Sequence, residues 1–252
     1  MSSNANLAAQ CEEIRKNYSP CDVSDALLTL KVPLGGTLAD ISPLPSRHGY
    51  TNRLVAPIST VLFVPNAHQP GASIPNLPLV PETSNLPSDK HFSDLAPSGS
   101  VVLMQQPPHQ TAALLGDIVA TRYKYRGIQG VFVDGRARDV VGIGEVCKAD
   151  EDTPFTAWTR SLSSSGTSAE AKPWAVDVEL QIGGVRVRPG DVLVADEGER
   201  VCCVIPAEKL GDVLALLPVQ KEADDGLLAD VRAGMGFKEA LKRHPKHYTL
   251  QH

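Results

Sequence analysis

Two carboxylates and a guanidinium stand where a folded chain could bring them together. Asp117 follows a glycine at the head of GDIVATRYKYRGIQGVFVDGRARD (116–139), and twenty residues separate it from the adjacent Arg138 and Asp139. Two oxygen-donor acids suit a hard divalent cation such as Mg2+. A guanidinium suits bidentate recognition of a carboxylate. The set therefore reads as a site for a small dianionic acid held against a metal. The amides of Ile118 and Val119, in the first helical turn after Gly116, add an anion or oxyanion site made of backbone alone. Each residue also has a plainer use: Asp117 as a helix cap or dipole partner, and Arg138 with Asp139 as a surface ion pair. The preceding VFVD favours chemistry, because ligand sites concentrate on loops delivered by the ends of strands.

For these groups to meet, 116–126 must form a helix and 129–133 a strand that folds back beside it. That strand is expected to end in a turn at Asp134-Gly135, fixed by the aspartate side chain. Upstream, 6–17 is patterned as a helix, and Ser24-Asp25 before Ala-Leu-Leu reads as the cap of a second one. RLVAPISTVLFV (53–64) and SVVLMQQ (100–106) are apolar, β-branched strands. Between them, 65–98 is rich in Pro, Ser and Asn and reads as a long surface excursion, either functional or disordered. A second polar insert, 161–172, is expected to be mobile. Beyond it, short alternating stretches with glycine turns read as a β meander, and helices are expected at 206–217 and 219–243.

The 252 residues can bury a full core, and 20 Gly with 20 Pro favour a mixed α/β architecture over a helical bundle. A net charge of −5 argues against a general nucleic-acid footprint. The five cysteines, Cys11, Cys21, Cys147, Cys202 and Cys203, are odd in number and lack a CxxC. They are expected to be buried free thiols of a reducing compartment, with Cys147 structural. No signal peptide or membrane-length apolar run is visible, so the expected location is cytoplasmic. The histidines show no metal-binding spacing, and P-loop, GxGxxG and GxSxG motifs are lacking.

With these residues in view, the chain resembles the class II pyruvate aldolases, the RraA-like family. The resemblance is carried by Asp117 with Arg138-Asp139, by SDAL (24–27), RGIQGVFVDGRARDV (126–140) and PGDVLVAD (189–196). It covers a core of about residues 20–218 in one domain, with 65–98 as an insert and 219–243 as added helices. It implies a swivelling-domain α/β/α fold assembled as a homotrimer or hexamer with sites between subunits. It also implies cleavage of 4-hydroxy-4-methyl-2-oxoglutarate to two pyruvates and decarboxylation of oxaloacetate, with Mg2+ or Mn2+. Arg138 would bind a substrate carboxylate, Asp139 would anchor the metal, and Asp117 would act on it through water. The backbone of Gly116, Asp117, Ile118 and Val119 would receive the pyruvyl end. Bacterial members of this type add a glutamate from the C-terminal region of a neighbouring subunit; here Met235 falls at that place, with Glu239 displaced. A second reading is a non-catalytic RraA-like binding protein that modulates a ribonuclease or another partner.

Overall fold

The computed structural model describes residues 2–44, 53–77, 79–147 and 155–247. Helices α1 (Ser2–Asn17) and α2 (Pro20–Thr29) open the chain, followed by the short β1 (Ser42–Pro43) and the long β2 (Arg53–Pro65). Next come β3 (Val101–Gln105), α3 (Asp117–Tyr125), β4 (Gly130–Ala137), α4 (Val140–Val146) and β5 (Thr156–Leu162). Strands β6 (Ala171–Val176), β7 (Leu180–Ile182), β8 (Val185–Val187), β9 (Val192–Asp196) and β10 (Val201–Ile205) follow, then α5 (Leu210–Arg232) and α6 (Phe237–Arg243). No helix among the described residues is long and apolar enough to cross a membrane.

An eight-stranded sheet in the order β1-β5-β4-β3-β2-β9-β10 organises the molecule, with β6 also paired to β2. Strands β2 to β5 run parallel. β2 can serve so many partners because its 13 residues are divided: Arg53–Pro57 pair with β9, and Val61–Pro65 with β6. Its near-continuous burial is what a strand covered on both faces requires. On one face Val131, Val133 and Met104 pack under Ala120 and Tyr123 of α3 and Ile143 of α4. On the other, Leu103, Phe132 and Trp158 meet the β7–β8 hairpin through Leu180, Ile182 and Val187. A third core joins α1, α2 and α5 to β9 and β10.

Several local expectations are corrected. Helix α2 starts at Pro20, not at Ser24. Ser19 and Asp22 form a reciprocal capping box with Pro20 in the first turn, a stronger start than Ser24-Asp25. β4 does not turn at Asp134-Gly135 but continues to Ala137, with a register shift between Val133 and Arg136. Asp134 reaches Arg160 on β5 instead of its own backbone. Helix α5 runs through Pro218 rather than breaking there, held by buried Val213, Leu217 and Gln220 on both sides of the proline. The β-rich stretch divides: β7–β8 is a separate hairpin, while β9 and β10 join the main sheet.

The 65–98 insert is tied down rather than free. Asn85 exchanges two hydrogen bonds with Val176 (2.8 and 2.9 Å), Trp174 Nε1 donates to Pro81 O, and Phe92 stacks edge-on against Phe63 at 5.3 Å. Pro78 lies outside the described residues. The 161–172 segment is likewise built in, as the end of β5, one 3-10 turn at Thr167–Ala169 and the start of β6.

Candidate active site

The structure brings the three sequence-selected side chains together. Gly116 caps α3 in extended conformation (φ −126°, ψ 177°), and Asp117 is its first helical residue. β4 delivers Arg138 and Asp139 at its end, where Arg138 N donates to Leu115 O at 2.9 Å. That bond seats the strand end beside the start of α3. Arg138 Nε and Asp139 Oδ2 form an ion pair at 3.2 Å, both side chains less than half exposed.

Glycines make this approach possible. A Cβ added to Gly116 would lie 3.0 Å from Asp139 Oδ2, and one on Gly142 would lie 2.6 Å from Asp117 Oδ2. Each acid thus rests against the glycine of the other's helix. A Cβ on Gly166 would lie 2.8 Å from Arg138 Nη1, so the insert expected to be mobile forms a wall of the site. Sequence reasoning missed Gly142 and Gly166. The signal available for the first was its place in the opening turn of the helix after Arg138-Asp139.

Asp139 adopts a left-handed conformation (φ 56°, ψ 41°) ahead of α4. Aspartate tolerates this region better than most residues, and such backbone strain gathers at functional sites. At α3, Ala120 N is the first amide bonded within the helix, to Gly116 O at 3.0 Å. The amides of Ile118 and Val119 precede it and keep their anion-binding capacity. The Ile118 side chain is 80% exposed and Val141 at the start of α4 is 71% exposed, so the site has an apolar rim.

The neighbouring charges have other duties. Arg122 pairs with Asp94 at 2.6 Å, Lys124 donates to Val146 O, and Asp134 pairs with Arg160. All five cysteines are free; four are buried as expected, Cys21 is exposed on α2 instead, and burial pushes the Cys147 thiol up to about 12. That is the inert thiol expected from sequence. Glu197, just after β9, is buried and accepts a hydrogen bond from Thr156 Oγ1.

Among the described residues no group of three or more His, Cys, Asp or Glu side chains is arranged to hold a metal ion. Asp117 and Asp139 nevertheless fit a cation such as Mg2+, which commonly takes one or two protein carboxylates and keeps several waters. Met235 sits in the turn after α5, its amide bonded to Asp230 O, and Glu239 on α6 lies near Arg243.

Comparison with known proteins bears on the family and the fold. The profile of the RraA-like family (Aldolase/RraA) matches residues 20–198. A protein of Halalkalibacterium halodurans named "Putative 4-hydroxy-4-methyl-2-oxoglutarate aldolase" is 31% identical over 130 residues, covering 52% of this chain and 57% of that protein. Protein DlpA of Legionella pneumophila is 20% identical over 224 residues, which are 89% of this chain but 32% of DlpA. The chain therefore spans only about a third to somewhat over half of the length of these relatives. Among solved structures, an uncharacterized protein from Pseudomonas syringae pv. tomato superposes with a TM-score of 0.67 at 22% identity, covering 94% of this chain and 96% of the other. Streptomyces coelicolor RraAS2, an unusual member of the RNase ES inhibitor RraA protein family, gives 0.67 at 21% identity, with coverages of 89% and 98%. Likeness at those identities speaks for the fold.

Proposed function

The chain belongs to the RraA-like family, and from that membership we propose that it is a cytoplasmic carbon–carbon lyase acting on small 2-oxo dicarboxylic acids. It cleaves 4-hydroxy-4-methyl-2-oxoglutarate to two pyruvates and decarboxylates oxaloacetate to pyruvate, with Mg2+ or Mn2+ as cofactor. The observation that carries this reading is the meeting of Asp117, Arg138 and Asp139 across the bare backbones of Gly116 and Gly142.

Both reactions break a bond next to a 2-oxo acid and leave a pyruvate enolate. Arg138 holds the substrate carboxylate through charge-assisted hydrogen bonds. The Ile118 and Val119 amides face the 2-oxo oxygen and share the charge that grows there. In the aldol cleavage Asp117 takes the proton of the C4 hydroxyl and returns it to the enolate carbon, giving the second pyruvate; in the decarboxylation CO2 leaves and water supplies that proton. Asp139 would hold the divalent cation, with Asp117 reaching it through water, and the cation when bound supplies Lewis-acid stabilisation of the enolate.

The exposed Ile118 and Val141 around the site give a second copy an apolar surface to cover. The working assembly in this reading is a homotrimer or hexamer in which that copy closes the site. The competing reading, a non-catalytic protein that binds a ribonuclease or another partner, gains from the lack of a third described acid beside Asp117 and Asp139.

Pyruvate release coupled to NADH oxidation by lactate dehydrogenase separates the two. Each substrate is supplied with Mg2+ and then with EDTA, and the spontaneous decay of oxaloacetate is subtracted. Turnover that EDTA abolishes is the expected result. No turnover above background on either substrate would sink the lyase and leave the binding protein.

A further inference from the structure

The loop that leads into α3 runs between two neighbours, and both of them belong to the walls of the candidate site. On one side Leu114 N donates to Arg136 O at 2.8 Å and Arg138 N to Leu115 O at 2.9 Å, along the end of β4. On the other, Ala113 N donates to Ser165 O at 2.9 Å and Thr167 Oγ1 to Ala113 O at 2.6 Å. Parallel bridges between Leu115 and Ala137 and between Ala113 and Gly166 match these bonds. Residues 112–115 therefore lie between the strand that delivers Arg138 and the segment whose Gly166 walls it. Gly116 and Asp117 follow directly, so a slip of this stretch moves Asp117 relative to Arg138.

One acid outside the site closes this arrangement. Glu170 ends the 3-10 turn at Thr167–Ala169. Its Oε2 accepts from the amides of Thr111 at 2.6 Å and Ala112 at 2.8 Å, and its Oε1 from Thr111 Oγ1 at 3.2 Å. Its carbonyl oxygen accepts from Gln110 Nε2 and from Asn66 N, each at 2.9 Å. The hydrogen bonds from Ala112 and Thr111, and more weakly the Arg136 charge, hold the Glu170 carboxyl below its ordinary value of 4.5. The bonds are thus charge-assisted at neutral pH. The chain just before them needs a hold of this kind. Pro107 and Pro108 have no amide to donate, and His109 stands in the left-handed region at φ 67°.

We propose that Glu170, within the lyase reading on which this rests, is a positioning residue: its carboxylate clamps Thr111 and Ala112 to the 165–170 segment and so sets the spacing between Asp117 and Arg138. It acts through the loop and not on the substrate. A reacting group displaced by about 1 Å costs up to about a hundredfold in rate, and that displacement is what the clamp prevents.

Glu170→Ala is expected to lower kcat about tenfold on both substrates with KM within about threefold, because Arg138 still holds the carboxylate. Glu170→Gln keeps an acceptor oxygen for both amides and should return kcat to within about threefold of the wild type. Asn85→Ala cuts the bonds of the 65–98 insert to Val176, away from the site, and should lower the urea midpoint without moving kcat. Hydrogen exchange without substrate reads the clamp itself. In Glu170→Ala the amides of Ala113, Leu114 and Arg138, which Glu170 does not bond, should exchange at least about tenfold faster. Wild-type kcat and KM in Glu170→Ala would overturn the proposal. So would an equal loss of kcat in Asn85→Ala, a Glu170→Gln no better than Glu170→Ala, or unchanged exchange at those amides. A wild type without turnover sinks the lyase reading instead, and the exchange result then decides alone whether Glu170 holds the loop.

Discussion

Arg136 and Arg138 leave the same strand two residues apart and meet opposite surroundings. Arg136 reaches Ser161 and Leu162 at one end of the 161–166 segment, inside a cavity whose polar groups are largely bonded to one another. Arg138 reaches Gly166 at the other end, between a carboxylate and bare glycine backbone. The first environment is pre-satisfied, and its job is to hold a charge in place. The second is stripped of side chains, and its groups keep capacity for a substrate. Glycine walls mark where the chain leaves room, which is a sharper guide to the reacting end than the presence of an arginine.

The largest expected effect falls on the glycine-walled side. Asp139→Asn keeps a residue that tolerates the left-handed backbone but removes the charge, and kcat/KM for both substrates should fall about a thousandfold, some 4 kcal/mol. Stability should stay within about 1 kcal/mol, because the pair with Arg138 is half exposed. Urea titration beside the coupled assay reads both. If Asp139→Asn turns over like the wild type, the contrast between the two arginines has no chemical meaning. Gly142→Ala comes next. Its new Cβ would fall 2.6 Å from Asp117 Oδ2 and 2.8 Å from Asp117 Cβ, so the acid must move. A displacement of that kind costs up to about a hundredfold in kcat, with the fold intact by circular dichroism.

On the other side the effects are of stability rather than rate. Burial raises the Asp134 carboxyl above its ordinary value of 3.8, and Arg160 offsets part of that rise. Arg160→Leu removes the offset and leaves a buried charge unpaired, at a cost of about 2 kcal/mol at neutral pH after allowance for the partial exposure of Arg160. The sign follows from the direction of the shift. A carboxyl whose folded pKa lies above its unfolded one favours folding only when protonated, so its contribution is lost as pH rises through the folded value. The deficit of Arg160→Leu should therefore shrink as pH falls from neutral toward the ordinary carboxyl range. Urea midpoints at several pH values measure it, and a deficit independent of pH would assign the loss to packing instead.

The active-site side was legible in the sequence to the extent that local signals carried it. Gly116-Asp117 at a helix start and Arg138-Asp139 after an apolar strand needed only local pattern; the helix and the start of the strand were found where expected, while the strand's end was not. What escaped were long-range pairings. Asp134-Gly135 has the composition of a turn, yet the aspartate is claimed by Arg160, 26 residues away, and the strand runs on. One miss was local: Ser24-Asp25 has the composition of a cap, yet the capping box of Ser19 with Asp22 takes the role first. The serine-rich 161–166 looked unstructured because its order comes from elsewhere in the chain: Ala113 N donates to Ser165 O, and Ser163 N to Ala137 O. Gly166, a wall of the site, could not be seen before that pairing was known.

The smallest expected effect is the one that tests whether the two sides are separate. Arg136→Gln gives up the bonds to Ser161 and Leu162, which lie on the segment that also carries Gly166. If those bonds were needed to seat Gly166 against Arg138, turnover would fall with them. The segment has other anchors, however. The amides of Ser163 and Ala113 hold it to β4 and to the loop before α3, and Thr167 Oγ1 donates to Ala113 O at 2.6 Å. These bonds flank Gly166, two between it and the Arg136 contacts and one just beyond it, so the glycine should stay in place. Arg136→Gln should therefore change kcat/KM by no more than about threefold, under 1 kcal/mol. A tenfold fall in kcat at unchanged KM would join the two arginines into one site, with the 161–166 segment as the link between them.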